Sequence, residues 1–297
     1  MHLEKLIEEA THLPNKVVAV AAAEDKEVIE AVKMALDKQI ASFRLFGDED
    51  KTMSLLQTLG LDVFEHLKVI PCSHPDEAAA KAVQAVSSGE ADVLMKGMVP
   101  TARILKAVLN KEYGLRTGKV LSHVAAFEVT GYDRLVFVTD AAMNIAPDLQ
   151  KKAEIVQNAV DVAVRIGVET PKVAPITAVE VVNPSMEATL DAAALSQMNN
   201  RGQIKNCVVD GPLALDNAVS KEAAEHKGIG GEVAGQADIL LVPNIETGNA
   251  LYKSLIYFAR AKVGAVIAGA KAPIVLTSRA DTAESKLYSI ALAVRAV

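Results

Sequence analysis

Short runs rich in Val, Ile and Leu alternate with longer segments whose apolar residues recur at helical spacing, from Val17 to the end of the chain. A parallel strand buried on both faces reads as a continuous apolar run, and the crossover returning to its neighbour is a helix with one apolar stripe. The alternation therefore specifies an α/β fold. Strands are predicted over residues 17–22, 41–46, 68–70, 92–95, 120–129, 135–140, 206–210, 239–243, 263–268 and 274–277. Helices are predicted over 26–36, 76–87, 101–109, 149–166, 186–198, 250–260 and 281–296.

A chain of 297 residues can bury one large core or two smaller ones, and two domains are expected. No Pro/Gly/Ser-rich linker or fixed-period repeat marks a boundary, so the crossing is placed in an ordinary connection near residues 129–133. The last strand and helix, 272–297, could complete either sheet. The net charge of −6 and pI near 5.6 offer no general attraction for nucleic acid or anionic lipid. Apolar runs stop far short of the roughly 20 residues that cross a bilayer, and the first fifteen residues lack the apolar core of a signal peptide. Cys72 and Cys207 stand apart without metal-ligand spacing, which fits a reducing cytoplasm and no zinc site.

In open α/β sheets ligands gather beyond the carboxyl ends of strands, so the polar clusters that follow strands carry the functional information. Five are present: Lys96–Thr101, Thr139–Asn144, Asp210–Leu213, Pro243–Asn249 and Thr277–Asp281. In the last, Ser278 and Arg279 read as the start of the final helix, where free N–H groups favour an anion and a guanidinium forks onto phosphate. The same residues also read as a simple S-x-x-D cap with a solvated arginine. Gly228–Gly235 lacks G-x-G-x-x-G spacing and precedes a strand, which removes the dinucleotide reading. No phosphate-loop, H-E-x-x-H or G-x-S-x-G motif is present. Cys72 with His74 could be drawn as a nucleophile and base, but a packed thiol is the commoner case, and His123 and His226 receive no role.

Taken in order, these loops resemble the phosphate acetyltransferase and phosphate butyryltransferase family from Asp92 onward. Val136–Asn144, Asp210–Asp216, Val233–Asp238 and Pro243-Asn244 followed by Gly248–Lys253 each match a family segment. The resemblance implies two α/β domains with mainly parallel sheets, 1–130 plus 270–297 and 131–269, with an active-site cleft between them, and a homodimer or higher homo-oligomer. It implies exchange of an acyl group between coenzyme A and inorganic phosphate, coenzyme A being a substrate, with no prosthetic group and no metal in the chemistry. Ser278 and Arg279 correspond to a Ser-Arg pair of the family's site. The acetyl enzymes carry an aspartate seven positions after that serine, where this chain has Ser285, so Glu284, or else Asp281, becomes the expected thiol base. Lys96, Thr101, Lys106, Asn144 and Asn249 are the expected substrate-binding residues, with Arg103 an alternative to Lys106. Leu94–Gly97 and Thr277–Asp281 look like the butyryltransferase branch, which implies a C4 acyl group, an acetyltransferase being the alternative. A non-catalytic ligand-sensing domain of the same fold is a further alternative, against which the presence of Ser278 and Arg279 argues. A metal- and NAD-dependent hydroxyacid dehydrogenase of related architecture needs a carboxylate triad that the sequence does not offer.

Overall fold

The computed structural model describes residues 2–278 and 281–297. Two compact units emerge, Leu3–Lys119 with Gly264–Val297, and His2 with Val120–Val263. We call them the N-terminal and central units. The chain changes unit at 119/120 and 263/264, where the sequence placed 130/131 and 269/270. The strand over Ser122–Glu128 accounts for the first difference, because it pairs with Leu135–Thr139 of the central unit.

The N-terminal unit contains α1 (Leu3–Thr11), β1 (Lys16–Ala21), α2 (Lys26–Asp37), β2 (Ala41–Gly47), α3 (Glu49–Thr58), β3 (Leu67–Pro71), α4 (Pro75–Ser87), β4 (Val93–Lys96) and α5 (Thr101–Val108). Its strands run in the order β3-β2-β1-β4, followed by β11 (Ile274–Val275) and β10 (Lys262–Ala268). All pairs are parallel except β10 with β11. Because β11 pairs with β4, the last strand, and with it α11 (Ala283–Arg295), completes this sheet. The core is built from fully buried Val18–Ala21, Phe43, Leu45, Val93–Met95 and the Leu287–Val294 stretch of α11. The run Val93–Lys96 is buried at every position, as a strand covered on both faces must be.

The central unit holds β5 (Ser122–Glu128), β6 (Leu135–Thr139), α6 (Leu149–Arg165), β7 (Lys172–Pro175), α7 (Glu187–Asn200), β8 (Val208–Val209), α8 (Leu215–Val219), α9 (Lys221–His226), β9 (Ile239–Leu241) and α10 (Ile245–Tyr257). Its order is β5-β6-β9-β7-β8, parallel except for β5 with β6. Sequence patterning missed β7 and the helices α1, α3, α8 and α9. Only four residues long, β7 ends in proline, and α3 has a mean hydropathy too polar for an evident stripe, with Thr52 and Leu56 its buried residues.

Candidate active site

Strand order places the N-terminal unit's ligand edge. From β1 the chain moves to β2 on one side, and β4 lies on the other, so the crevice of the sheet opens at the carboxyl ends of β1 and β4. Backbone bonds close its floor: Gly97 N–H donates to Ala21 O at 2.8 Å and Met98 N–H to Ala22 O at 2.6 Å. A Cβ at position 97 would stand 2.0 Å from Ala22 O, so only glycine lets the two strand ends meet this closely. Lys96, 6 % exposed, donates to Gly97 O at 3.0 Å. Thr101 is the exposed first residue of α5, whose N-cap, Pro100, supplies no side-chain acceptor. The N–H groups of Arg103 and Ile104 donate to Pro100 O, and with no side-chain cap among the described residues the helix N-terminus is a favourable setting for an anion. Lys106 is also exposed but stands in the last turn, about 7 Å further along the helix axis. Arg103 pairs with Asp76 at 3.2 Å.

Beside this loop runs the segment after β11. The sequence put Ser278 at the start of the final helix; instead Thr282 is the N-cap, its side chain accepting from Ser285 N–H, and α11 begins at Ala283. Ser278 lies in the preceding turn, where its N–H donates to Asp281 Oδ2 at 2.7 Å and its carbonyl accepts from Asp281 N–H at 3.2 Å. Arg279 lies outside the described residues. Lys286 passes beneath this turn, only 3 % exposed, donating to Asp281 O at 2.5 Å and Ser278 O at 3.4 Å. Sequence reasoning overlooked Lys286. In sequence it follows Glu284 and Ser285 in a polar stretch that opens α11, where a solvated lysine is the ordinary expectation.

Glu284 is exposed, and its Oε1 accepts from the Tyr288 hydroxyl at 3.0 Å. That hydroxyl also lies 2.7 Å from Glu4 Oε1, so one proton serves two carboxylates across the α1–α11 contact. Burial, then Glu4 and Glu284, hold the Tyr288 phenol well above its usual range. Ser285 sits in the helix cap, its N–H donating to Thr282 Oγ1 and its Oγ accepting from the Thr282 hydroxyl, each at 3.2 Å.

In the central unit, Asp140 is 3 % exposed and folds its carboxylate into its own loop. It accepts from the N–H groups of Ala142, Met143 and Asn144 at 2.9, 3.0 and 3.1 Å, and from Asn144 Nδ2 at 2.6 Å. Asn144 Nδ2 also donates to Leu121 O at 2.9 Å, which ties the loop to the entry of β5. The amide of this expected substrate ligand is thus largely committed to the loop itself. Against the loop packs the first turn of α10, where a Cβ on Gly248 would come within 2.7 Å of Asp140 O. Asn249, next along that helix, is exposed. The structure therefore brings Lys286 of α11 to the turn of Ser278 and Asp281, and Asn144 to the loop against which the α10 turn carrying Asn249 packs.

The cysteines stay apart from this chemistry. Burial raises the Cys72 thiol above its usual value and pushes Cys207 up to about 11, the wrong direction for a thiolate nucleophile. Among the described residues no group of three or more His, Cys, Asp or Glu side chains is placed to hold a metal ion.

An α/β sheet with a buried lysine, a helix N-terminus and a Ser-x-x-Asp turn at its ligand edge describes a class that handles anionic substrates. Residues 73–294 match the family model described as phosphate acetyl/butaryl transferase, and the chain belongs to that family. It is 59 % identical over 294 residues to the "probable phosphate butyryltransferase" of Bacillus subtilis (strain 168), covering 99 % of this chain and 97 % of that one. To the phosphate butyryltransferase of Clostridium acetobutylicum it is 57 % identical over 278 residues, 94 % of this chain and 92 % of the relative. The crystal structure of a branched-chain phosphotransacylase from Enterococcus faecalis V583 superposes with a TM-score of 0.85 at 40 % identity, over 95 % of this chain and 98 % of that one.

Proposed function

We propose that this chain is a phosphate acyltransferase that exchanges a short acyl group between coenzyme A and inorganic phosphate, with butyryl as the preferred group: butyryl-CoA and phosphate give butyryl phosphate and CoA. The observation that carries it is near-full-length identity of 57–59 % to relatives named for phosphate butyryl transfer. Branched four-carbon chains such as isobutyryl belong in the same test, because the superposed Enterococcus structure is described as a branched-chain phosphotransacylase.

In the direction of acyl phosphate synthesis a phosphate oxygen attacks the thioester carbonyl carbon, the C–S bond breaks, and the departing thiolate takes a proton. We assign Ser278 to the carbonyl oxygen or sulfur as a hydrogen-bond donor, and Arg279 to the phosphate as a charged fork. The Lys286 ammonium under the turn adds a fixed positive charge to that anion site. Lys96, Thr101, Lys106, Asn144 and Asn249 remain assigned to substrate contacts, Lys96 and Thr101 with the support of their place at the β4–α5 loop. For the proton at sulfur we favour Asp281 over Glu284: Asp281 Oδ2 bonds Ser278 directly, whereas Glu284 Oε1 is engaged by Tyr288. In reverse, the same carboxylate accepts the proton of CoA, whose thiol is only a few per cent ionised at neutral pH with a pKa near 8.5. Transfer is direct, without an acyl-enzyme.

We further propose a homodimer or higher homo-oligomer working in a reducing cytoplasm. Supporting self-association, α10 buries only Gly248 among its residues and is followed by Phe258, 87 % exposed, with Tyr257 at 63 %. Supporting the compartment, both cysteines are free thiols.

The deciding experiment follows phosphate-dependent CoA release with a thiol reagent, using acetyl-, butyryl- and isobutyryl-CoA. A higher kcat/KM for a four-carbon thioester is expected. An acetyl preference would reassign the substrate, and no phosphate-dependent release from any of them would defeat the proposal.

A further inference from the structure

A buried ammonium has lost its hydration and needs an opposite charge or strong dipoles in its place. Among the described residues three lysines are buried, Lys96, Lys152 and Lys286. Lys152 meets the need with a carboxylate, Asp191 Oδ2 at 2.5 Å, and so ties α6 to α7. Lys96 donates to Gly97 O at the ligand edge of β4. Lys286, the most buried of the three, makes no ion pair among the described residues. Its ammonium rests on two backbone carbonyls, Asp281 O at 2.5 Å and Ser278 O at 3.4 Å.

Its place adds a second penalty. Lys286 is the fourth residue of α11, at the helix end whose own dipole is positive and disfavours a cation. A methionine, unbranched and apolar, would fill a similar space without either penalty. Stability therefore gives no reason for a lysine here. What the ammonium touches are the two ends of the Ser278–Asp281 turn. The bonds of the turn itself, Ser278 N–H to Asp281 Oδ2 and Asp281 N–H to Ser278 O, close it on itself. Lys286 fastens it from below to the second turn of α11, and a charged donor grips a carbonyl about twice as strongly as a neutral one.

We propose that Lys286 is a positioning residue: its charged bonds to the carbonyls at both ends of the turn hold Ser278 and the Asp281 carboxylate in the arrangement that serves the thioester, at the expense of stability. The inference rests on the acyl-transfer reading and deepens its assignment of Ser278 and Asp281.

The test measures kcat and the KM for butyryl-CoA at saturating phosphate, together with thermal unfolding, in the wild-type protein, Lys286→Met and Lys286→Arg. Activity and stability should part company in Lys286→Met. Its kcat should fall about 10²-fold, as for reacting groups about 1 Å out of place, while the KM for butyryl-CoA stays within about threefold of wild type. Its unfolding midpoint should equal or exceed that of wild type, because an unmatched buried charge is gone. Lys286→Arg keeps a charged donor and should recover about tenfold of the lost kcat; if the larger side chain prevents folding, Lys286→Met decides alone. Wild-type kcat in Lys286→Met, a loss of kcat matched by a loss of stability or of folding, or a folded Lys286→Arg no better than Lys286→Met each overturns the role of Lys286 and leaves acyl transfer standing. A wild-type protein without phosphate-dependent CoA release overturns acyl transfer itself.

Discussion

Two turns in this protein use an aspartate to hold backbone N–H groups, and they use it differently. After β6, Asp140 is buried and saturated by four N–H donors from Ala142, Met143 and Asn144. After β11, Asp281 is half-exposed, and among the described residues the donor to its carboxylate is the N–H of Ser278. A carboxylate with all its capacity spent inside a loop fixes that loop's shape. One with capacity left, beside a serine and above the buried Lys286, can still meet a substrate or move a proton.

The sharpest break of this contrast comes from the second turn. Ser278→Ala and Arg279→Ala should each lower kcat/KM for phosphate-dependent CoA release by about 10²–10³, the range for losing a donor to developing charge, with unchanged thermal unfolding. Equal losses of stability and activity would mean that the turn is scaffold like its counterpart. Next, Asp281→Asn should slow synthesis of the CoA ester about 10²-fold at pH 7 and less at pH 9, where the thiol of CoA ionises without help. A pH-independent loss would assign Asp281 to geometry alone.

Asp140→Ala reads the other side of the comparison. It strips partners from N–H groups in a half-buried loop and should cost about 2 kcal/mol of stability in denaturant unfolding, while the folded fraction keeps its KM for phosphate. A raised KM with intact stability would move Asp140 into the site. The smallest effect belongs to Glu284→Gln, which keeps an acceptor for Tyr288 and should change turnover by less than about threefold at either pH. A large loss relieved at high pH would restore Glu284 as the base.

Legibility in the sequence followed the range of the forces involved. Val93–Met95 and Leu135–Thr139 announced themselves as buried strands because burial on both faces leaves a continuous apolar run. Short or polar elements such as β7 and α3 gave no such run. The loops after β4, β6, β9 and β11 were found because polar clusters directly following apolar strands are local patterns. How each carboxylate would be used was not local: Asp140, Asp281 and Glu284 look alike in sequence, and only packing separates them.

From its residue order alone this chain determines an α/β architecture, the position of its ligand loops and a family resemblance carried by several motifs in sequence. These depend on hydrophobic period and on the residue types that turns and anions require. Tertiary structure alone decided that the last strand joins β4, that Thr282 rather than Ser278 caps α11, and that Lys286 runs beneath the Ser278 turn. Tertiary structure also put Glu284 within reach of Tyr288 and Glu4. The reason is physical. Strand pairing, capping geometry and the fate of a buried charge are settled by partners distant in the chain, and no local pattern records which partner packing will bring.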